Sequence, residues 1–306
     1  MSAQTVLFDA PGPKARRRHA ILTVIGFALA AVTAGLVLWK FQAQGQLEPE
    51  MWSVLFTPDV WNEYLIPGLI NTLKAAAISI VLAVIFGLVF GMGRLSHNGP
   101  IRWVSGIVVE FFRSVPVLLM MYFFFQLFAF NNYFGTDYNS LAAVVLALTL
   151  YNGSVIAELV RSGVHGLPSG QSEAGLSIGL TAGQTLRSIQ LPQALTAMLP
   201  ALVGQLVVIL KDSALGTAIT YPELLQAAKD VGTAYGNVIP AYVLAAAIFI
   251  LINFGLTTLA GRVERRLNRR GRGPRKVAGG GGVVGASTVQ LPIEGAPSVV
   301  SPGSGR

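Results

Sequence analysis

The chain has 306 residues, is 53% hydrophobic and 12% charged, and carries a net charge of +8. A soluble globular domain carries about a quarter charged residues, so an ordinary water-facing surface is excluded. The absence of cysteine excludes disulfides, thiol nucleophiles and cysteine metal sites, and His19, His97 and His165 share no metal-ligand spacing, so neither metal nor cofactor is expected.

In chain order, uncharged runs cover Ala20–Trp39, Ala75–Gly93, Ser114–Thr136, Tyr138–Ala157, Ser188–Leu210 and Val231–Gly261. Each reaches the roughly 18–20 residues that cross a hydrocarbon core of about 30 Å as a helix. A helix satisfies its own backbone hydrogen bonds in lipid, and the alternation of a transmembrane barrel is missing. The fold class is therefore an all-α integral membrane protein with six transmembrane helices. Residues 1–19 form a basic amino-terminal segment. Residues 20–40 form a first helix, longer than the apolar part of a signal peptide and so read as retained. Residues 41–66 are an external connection whose Trp52, Trp61 and Tyr64 suit the headgroup level.

Pro67-Gly68 opens the second span, where Asn71 and Thr72 can cap free backbone donors. The third span is expected from near Val104 and the fourth from near Asn139. The fifth runs over Ala194–Leu210 and the sixth over Val238–Gly261. Between the last two, Asp212–Asn237 is too broken by Gly216, Pro222, Gly232 and Gly236 for more than a short helix. The principal domain spans 67–265. Residues 266–306 are basic and then rich in Gly, Pro and Ser, a composition that buries too little to order itself.

The basic residues do not form a nucleic-acid surface. Lys14 and Arg16–Arg18 precede the first span, Arg94 and Arg102 follow the second, Arg161 and Arg187 flank the loop after the fourth, and Arg262 onward follows the sixth. The alternate loops hold Glu48, Glu50, Asp59, Glu63, Asp137, Glu223 and Asp230. Lys and Arg are retained in the cytoplasm during insertion, so both termini are expected inside.

The loop at 162–193 carries the strongest local signals. Ser169 can cap a first short helix, Gly179 can end it with a positive φ, and Leu180 can cover that end. Thr181-Ala182-Gly183-Gln184 is a capping box for a second helix, which Pro192 is expected to end. Such a rigid pair is either a passive connector or a handle for another protein.

Glu173-Ala174-Gly175, then Gly179, then Ile189-Gln190-Leu191-Pro192 resembles the Glu-Ala-Ala signature of ABC importer permeases, with every spacing kept. Gly175 stands where that family usually has Ala, a change expected to loosen its helical turn. Further segments resemble the polar amino-acid branch: Gly68 through Leu73, Phe112-Arg113-Ser114-Val115-Pro116, Tyr151-Asn152-Gly153 through Gly163, and Leu210-Lys211-Asp212-Ser213-Ala214-Leu215. The likeness covers residues 66–265 and is greatest to glutamate-importer permeases of actinobacteria. It implies a five-helix type I permease core with one extra amino-terminal helix, in a bacterial cytoplasmic membrane. It also implies three partners: a pair of ABC ATPase subunits, an extracytoplasmic amino-acid-binding protein and a second permease, homologous or identical. The ATPase-coupling residues would be Glu173, Ala174, Gly175, Gly179, Ile189, Leu191 and Pro192. No residue is assigned a catalytic role, because the sequence has no Gly-x-x-x-x-Gly-Lys-Ser/Thr phosphate loop and ATP would be handled by another chain.

Ionisable and polar groups at depth are the candidates for a translocation path: Arg113, Tyr151, Asn152, Glu158, Lys211 and Asp212. The alternative for the charged ones is mutual pairing, since Glu110 and Arg113 are three apart and Glu158 can reach Arg161 or Arg113. Lys74 is a further charge at depth. Gly153 and Ser154 would permit close helix approach. Two other readings of function are a permease for glutamine or basic amino acids and, from a different class, a self-sufficient secondary transporter with broken helices at midplane.

Overall fold

The computed structural model describes residues 12–271, with side chains described through residue 262. Every regular element among them is helical. The Gly- and Pro-rich tail read from the sequence lies outside the described residues.

Helix α1 (Pro13–Ala43) is the extra amino-terminal helix, and no residue on it is buried. A helix this apolar on all sides, with none of its residues buried among the described residues, is stable only in lipid or against a partner. The external connection holds α2 (Pro49–Ser53) and α3 (Pro58–Val60), followed by a π-turn at Trp61–Leu65. Its aromatic residues are anchored: the indole N–H of Trp52 donates to the Gln46 carbonyl, and that of Trp61 to the Leu55 carbonyl.

Helix α4 (Ile66–Arg94) buries Gly68, Thr72, Ala76, Ser79, Ala83, Gly87 and Gly91, a run of small residues spaced three or four apart on one face. The face packs on α7 (Asn139–His165), the central helix, whose most apolar stretch is 67% buried. The approach is close. A Cβ on Gly91 would stand 2.9 Å from Cβ of Val160, and one on Gly153 would stand 2.7 Å from the Phe86 ring. Gly153 thus does what its position suggested.

The third span departs from expectation. Helix α5 (Gly99–Ser114) and helix α6 (Val117–Asn131) meet at an angle of 98°. Pro116 lacks an N–H and forces Val115 into extended backbone, ψ 128°, so no helix passes through. Helix α6 has 15 residues and so spans about 22 Å. Helix α5 buries Ser105 and Val109 and turns Val104, Ile107 and Phe111 outward on one side and Arg102, Glu110 and Arg113 on another. That three-way division suits a helix lying where protein, lipid and water meet. Among the described residues, five helical runs are long and apolar enough to cross a membrane, or six with the bent pair counted as one.

After α7 come α8 (Gly170–Ser177), α9 (Ala182–Thr185), a π-turn at Leu186–Gln190 and α10 (Leu191–Asp212). Pro192 does not end the second short helix. The helical run is continuous from Ala182 to Ile219. The widened turn before Pro192 accommodates a ring that would otherwise meet the carbonyl of Ser188. The same device, a π-turn before an Ile-Pro step, precedes Pro67.

A 3-10 stretch (Ser213–Ile219) and α11 (Leu224–Tyr235) form the segment between α10 and α12 (Val238–Gly271), which closes the bundle. Asn71 and Thr72 do not cap α4. They fasten this connecting segment: Asn71 Nδ2 donates to the Pro222 carbonyl, and the Leu224 N–H donates to Thr72 Oγ1. A second apolar cluster of Leu55, Val60, Leu65, Leu224 and Val231, joined by Trp52, Trp61 and Tyr64, ties the external connection to α11 and α12.

Candidate functional site

The helix pair after α7 follows its turn signals, while Ser169 and Gly175, like Pro192, depart from expectation. Ser169 makes no side-chain cap and already has helical backbone. The other end of α8 closes as expected. Gly179 sits at φ 85°, its N–H donates to the Leu176 carbonyl and the Leu180 N–H to the Gly175 carbonyl. Thr181 Oγ1 accepts from the Gln184 N–H, and Gln184 Oε1 accepts from the Thr181 N–H, completing the capping box. Gln193 Nε2 donates to Gln171 Oε1 and ties α8 to the start of α10.

The structure divides the signature residues into two sets. Glu173 and Ala174 face outward, while Gly175 is buried and Ile189 and Leu191 are half-buried. A Cβ on Gly175 would stand 2.5 Å from Cγ2 and 2.7 Å from Oγ1 of Thr185, and 3.1 Å from Cδ1 of Ile189. Gly175 is therefore no loosened turn but the point where α8 and α9 touch. Leu191 packs on the main core and roots the pair in the bundle. Sequence reasoning missed Leu176 and Ile178, which are 50% and 75% exposed at the tip. The available signal was two apolar residues in a loop otherwise assigned to water.

The candidate path residues do not converge on one site. Arg113 and Glu158 meet in an ion cluster with Arg94, Glu110 and Arg161. Glu158 lies 2.6 Å from Arg161, 2.7 Å from Arg94 and 3.8 Å from Arg113, and Glu110 lies 3.1 Å from Arg94 and 3.0 Å from Arg113. Mutual pairing thus accounts for these charges. Arg94, at the end of α4 and with a side chain only 12% exposed, bridges both carboxylates. Its Nη1 meets Glu158 as a charge contact rather than a directed hydrogen bond. The cluster joins α4, α5 and α7 beside the 98° elbow.

Asn152 is fully buried in the middle of α7. Its Nδ2 donates to the Leu148 carbonyl, and its Oδ1 accepts from Gln205 on α10. Gln205 was not foreseen, although with Thr196 it interrupts an otherwise apolar run from Ala194 to Leu210. Tyr151 is half-buried against the core. Lys211 is exposed and Asp212 half-buried at the carboxyl-terminal end of α10. The Lys74 ammonium stands 5.4 Å from the centre of the Tyr138 ring.

Glu223 is a buried carboxylate in the segment between α10 and α12. It accepts the N–H groups of Leu225 and Gln226, each at 2.8 Å, and caps α11. Burial pushes its pKa up to about 7, against the pull of those two donors. No group of three or more His, Cys, Asp or Glu that could hold a metal occurs among the described residues.

Residues 79–269 match the family described as "Binding-protein-dependent transport system inner membrane component". The chain belongs to that family: it is a membrane permease subunit of a binding-protein-dependent transport system. Within the family it is 44% identical over 233 residues to the glutamate transport system permease protein GluD of Corynebacterium glutamicum, covering 76% of this chain and 85% of that protein. It is 36% identical over 206 residues to the probable glutamine ABC transporter permease protein GlnP of Bacillus subtilis, covering 66% and 93%. Among solved structures it resembles a chain of an amino acid ABC transporter described as "with histidines", with TM-score 0.61 and 28% identity over 67% of this chain and 95% of that one.

Proposed function

We propose that this chain is the permease of an ABC importer that carries glutamate across the cytoplasmic membrane, with both termini inside. The cargo reading rests on the likeness to GluD. A separate ATPase pair would supply the energy, an extracytoplasmic binding protein would deliver the amino acid, and a second permease would complete the path.

One observation carries the mechanism. Helices α8 and α9 form a rigid, doubly capped pair whose tip turns Glu173, Leu176 and Ile178 outward. Exposed apolar side chains on a water-facing tip leave surface that a partner would cover. The pair continues without a break into α10, so a push on the tip becomes a movement of a spanning helix. Alternating access follows. ATP-driven closure of the ATPases moves the two coupling pairs, and the permease halves open outward to receive the amino acid. Glu173 would make the polar contact, and Ala174 would allow close approach. Gly175, Gly179, Ile189, Leu191 and Pro192 would hold the geometry.

The test is uptake by the purified complex in liposomes. Glutamate uptake that requires ATP and the binding protein is expected. Uptake driven by an ion gradient alone would make the chain a secondary carrier, and preferential uptake of glutamine or arginine would reassign the cargo. The variant Glu173→Lys should leave the bundle intact and abolish ATP-dependent uptake.

A further inference from the structure

A groove of about 830 Å³ opens between the turn joining α4 to α5 and the start of α9. Leu95, Ile101 and Leu186 give it an apolar floor. Both ionisable residues that line it, His97 and Arg187, are of the basic type and exposed, and no carboxylate lines it. Arg102 adds a third basic group at the rim, where it donates to the Ser96 carbonyl at 3.3 Å. Arg187 has no ion-pair partner among the described residues.

The walls are rigid. On one side Ser96 Oγ accepts from the Asn98 N–H, and Asn98 Oδ1 accepts from the Ile101 N–H to cap α5. On the other the Thr181–Gln184 capping box fixes the turn. The second wall belongs to the helix pair that presents Leu176 and Ile178, so whatever seats on that tip lies next to the groove.

We infer that this groove is a second docking surface for the ATPase subunit, taking an acidic segment that also carries an apolar residue. The inference rests on the reading of α8 and α9 as the ATPase-facing pair. Charge supplies the occupant's chemistry: unpaired basic groups around an apolar floor are complemented by Asp or Glu beside a hydrophobic side chain. Continuity supplies its source, because one wall is the coupling pair itself. An occupant gripping both walls would tie the coupling pair to the α4–α5 turn, which begins directly after Arg94 of the ion cluster. ATPase movement would then reach the bundle by two routes.

The chain has no cysteine, so single cysteines can carry a photoreactive crosslinker in the full complex with its ATPase. Gly99→Cys reports from between the lining residues Asn98 and Ile101, on the side of the groove that is not part of the coupling pair, and a Cβ there meets nothing within 4 Å. Ser177→Cys reports from the tip. Crosslinks to the ATPase from both positions are expected, with the Gly99→Cys product mapping to a segment containing Asp or Glu. In parallel, Arg187→Glu should weaken binding of the purified ATPase about tenfold and flatten its salt dependence. Crosslinking from Ser177→Cys without crosslinking from Gly99→Cys, or unchanged affinity in Arg187→Glu, overturns the groove and leaves the coupling pair standing. Failure at both positions overturns the coupling reading itself.

Discussion

Substituting Gly175→Ala sets two effects of opposite sign against each other at the contact between α8 and α9. Alanine is the better helix former by about 1 kcal/mol, which alone would stabilise α8. Against that, the new methyl would stand 2.5 Å and 2.7 Å from the two γ atoms of Thr185, where ordinary contacts need about 3.5–4 Å. Rotating Thr185 can place its Hβ in one of the two γ positions but leaves a heavy atom in the other. The residue is 1% exposed, so it cannot swing into solvent. The helices must therefore part by about 1 Å, and overpacking of this kind costs about 1–3 kcal/mol. The net expectation is a loss of about 1 kcal/mol, a several-fold rise in local opening. Hydrogen exchange of the 170–190 amides in the reconstituted protein measures it. Thr185→Ala removes both γ atoms, and Thr185 Oγ1 has no hydrogen bond to lose, so the double variant should recover protection. Greater protection in Gly175→Ala alone would show that propensity decides and that the close contact does not.

In the ion cluster, Glu158→Ala should lower unfolding stability by about 2 kcal/mol, because Arg161 then has no carboxylate and Arg94 and Arg113 share only the half-exposed Glu110. Glu110→Ala, whose carboxylate is half exposed, should cost less than about 1 kcal/mol, and equal thermal shifts for the two would refute the assignment of Glu158 as the central anion. Gln205→Ala leaves Asn152 Oδ1 unpaired inside the bundle and should cost about 1–2 kcal/mol, whereas an unchanged melting temperature would deny the pair any structural weight. For Glu223, the folded protein holds a proton that the unfolded chain loses near pH 4.5. Stability should therefore fall as the pH rises from about 4.5 to about 7 and level off above, by on the order of 3 kcal/mol in all. Glu223→Gln should lack this component, and melting curves with the same pH slope in both proteins would refute it.

The sequence by itself determined the helical bundle, because uncharged runs near twenty residues admit no other structure in lipid. It also determined the helix pair at 169–192 through Gly179 and the Thr181 capping box, since both signals act within one turn of chain. Local chemistry of that kind is complete in the residues that carry it. The tertiary structure decided the rest. Pro116 was legible as part of a motif, but only packing showed a 98° elbow with α5 set aside from α6. Pro192 was legible as a helix breaker, yet a widened turn held by the surrounding bundle carries the helix past it. Gly175 read as a weakness until its distance to Thr185 was known. Arg94 read as a topology marker, and Gln205 was an unremarked polar residue. Their partners lie 64 and 53 positions away in sequence, and no periodicity within one helix reports which face of another it will meet.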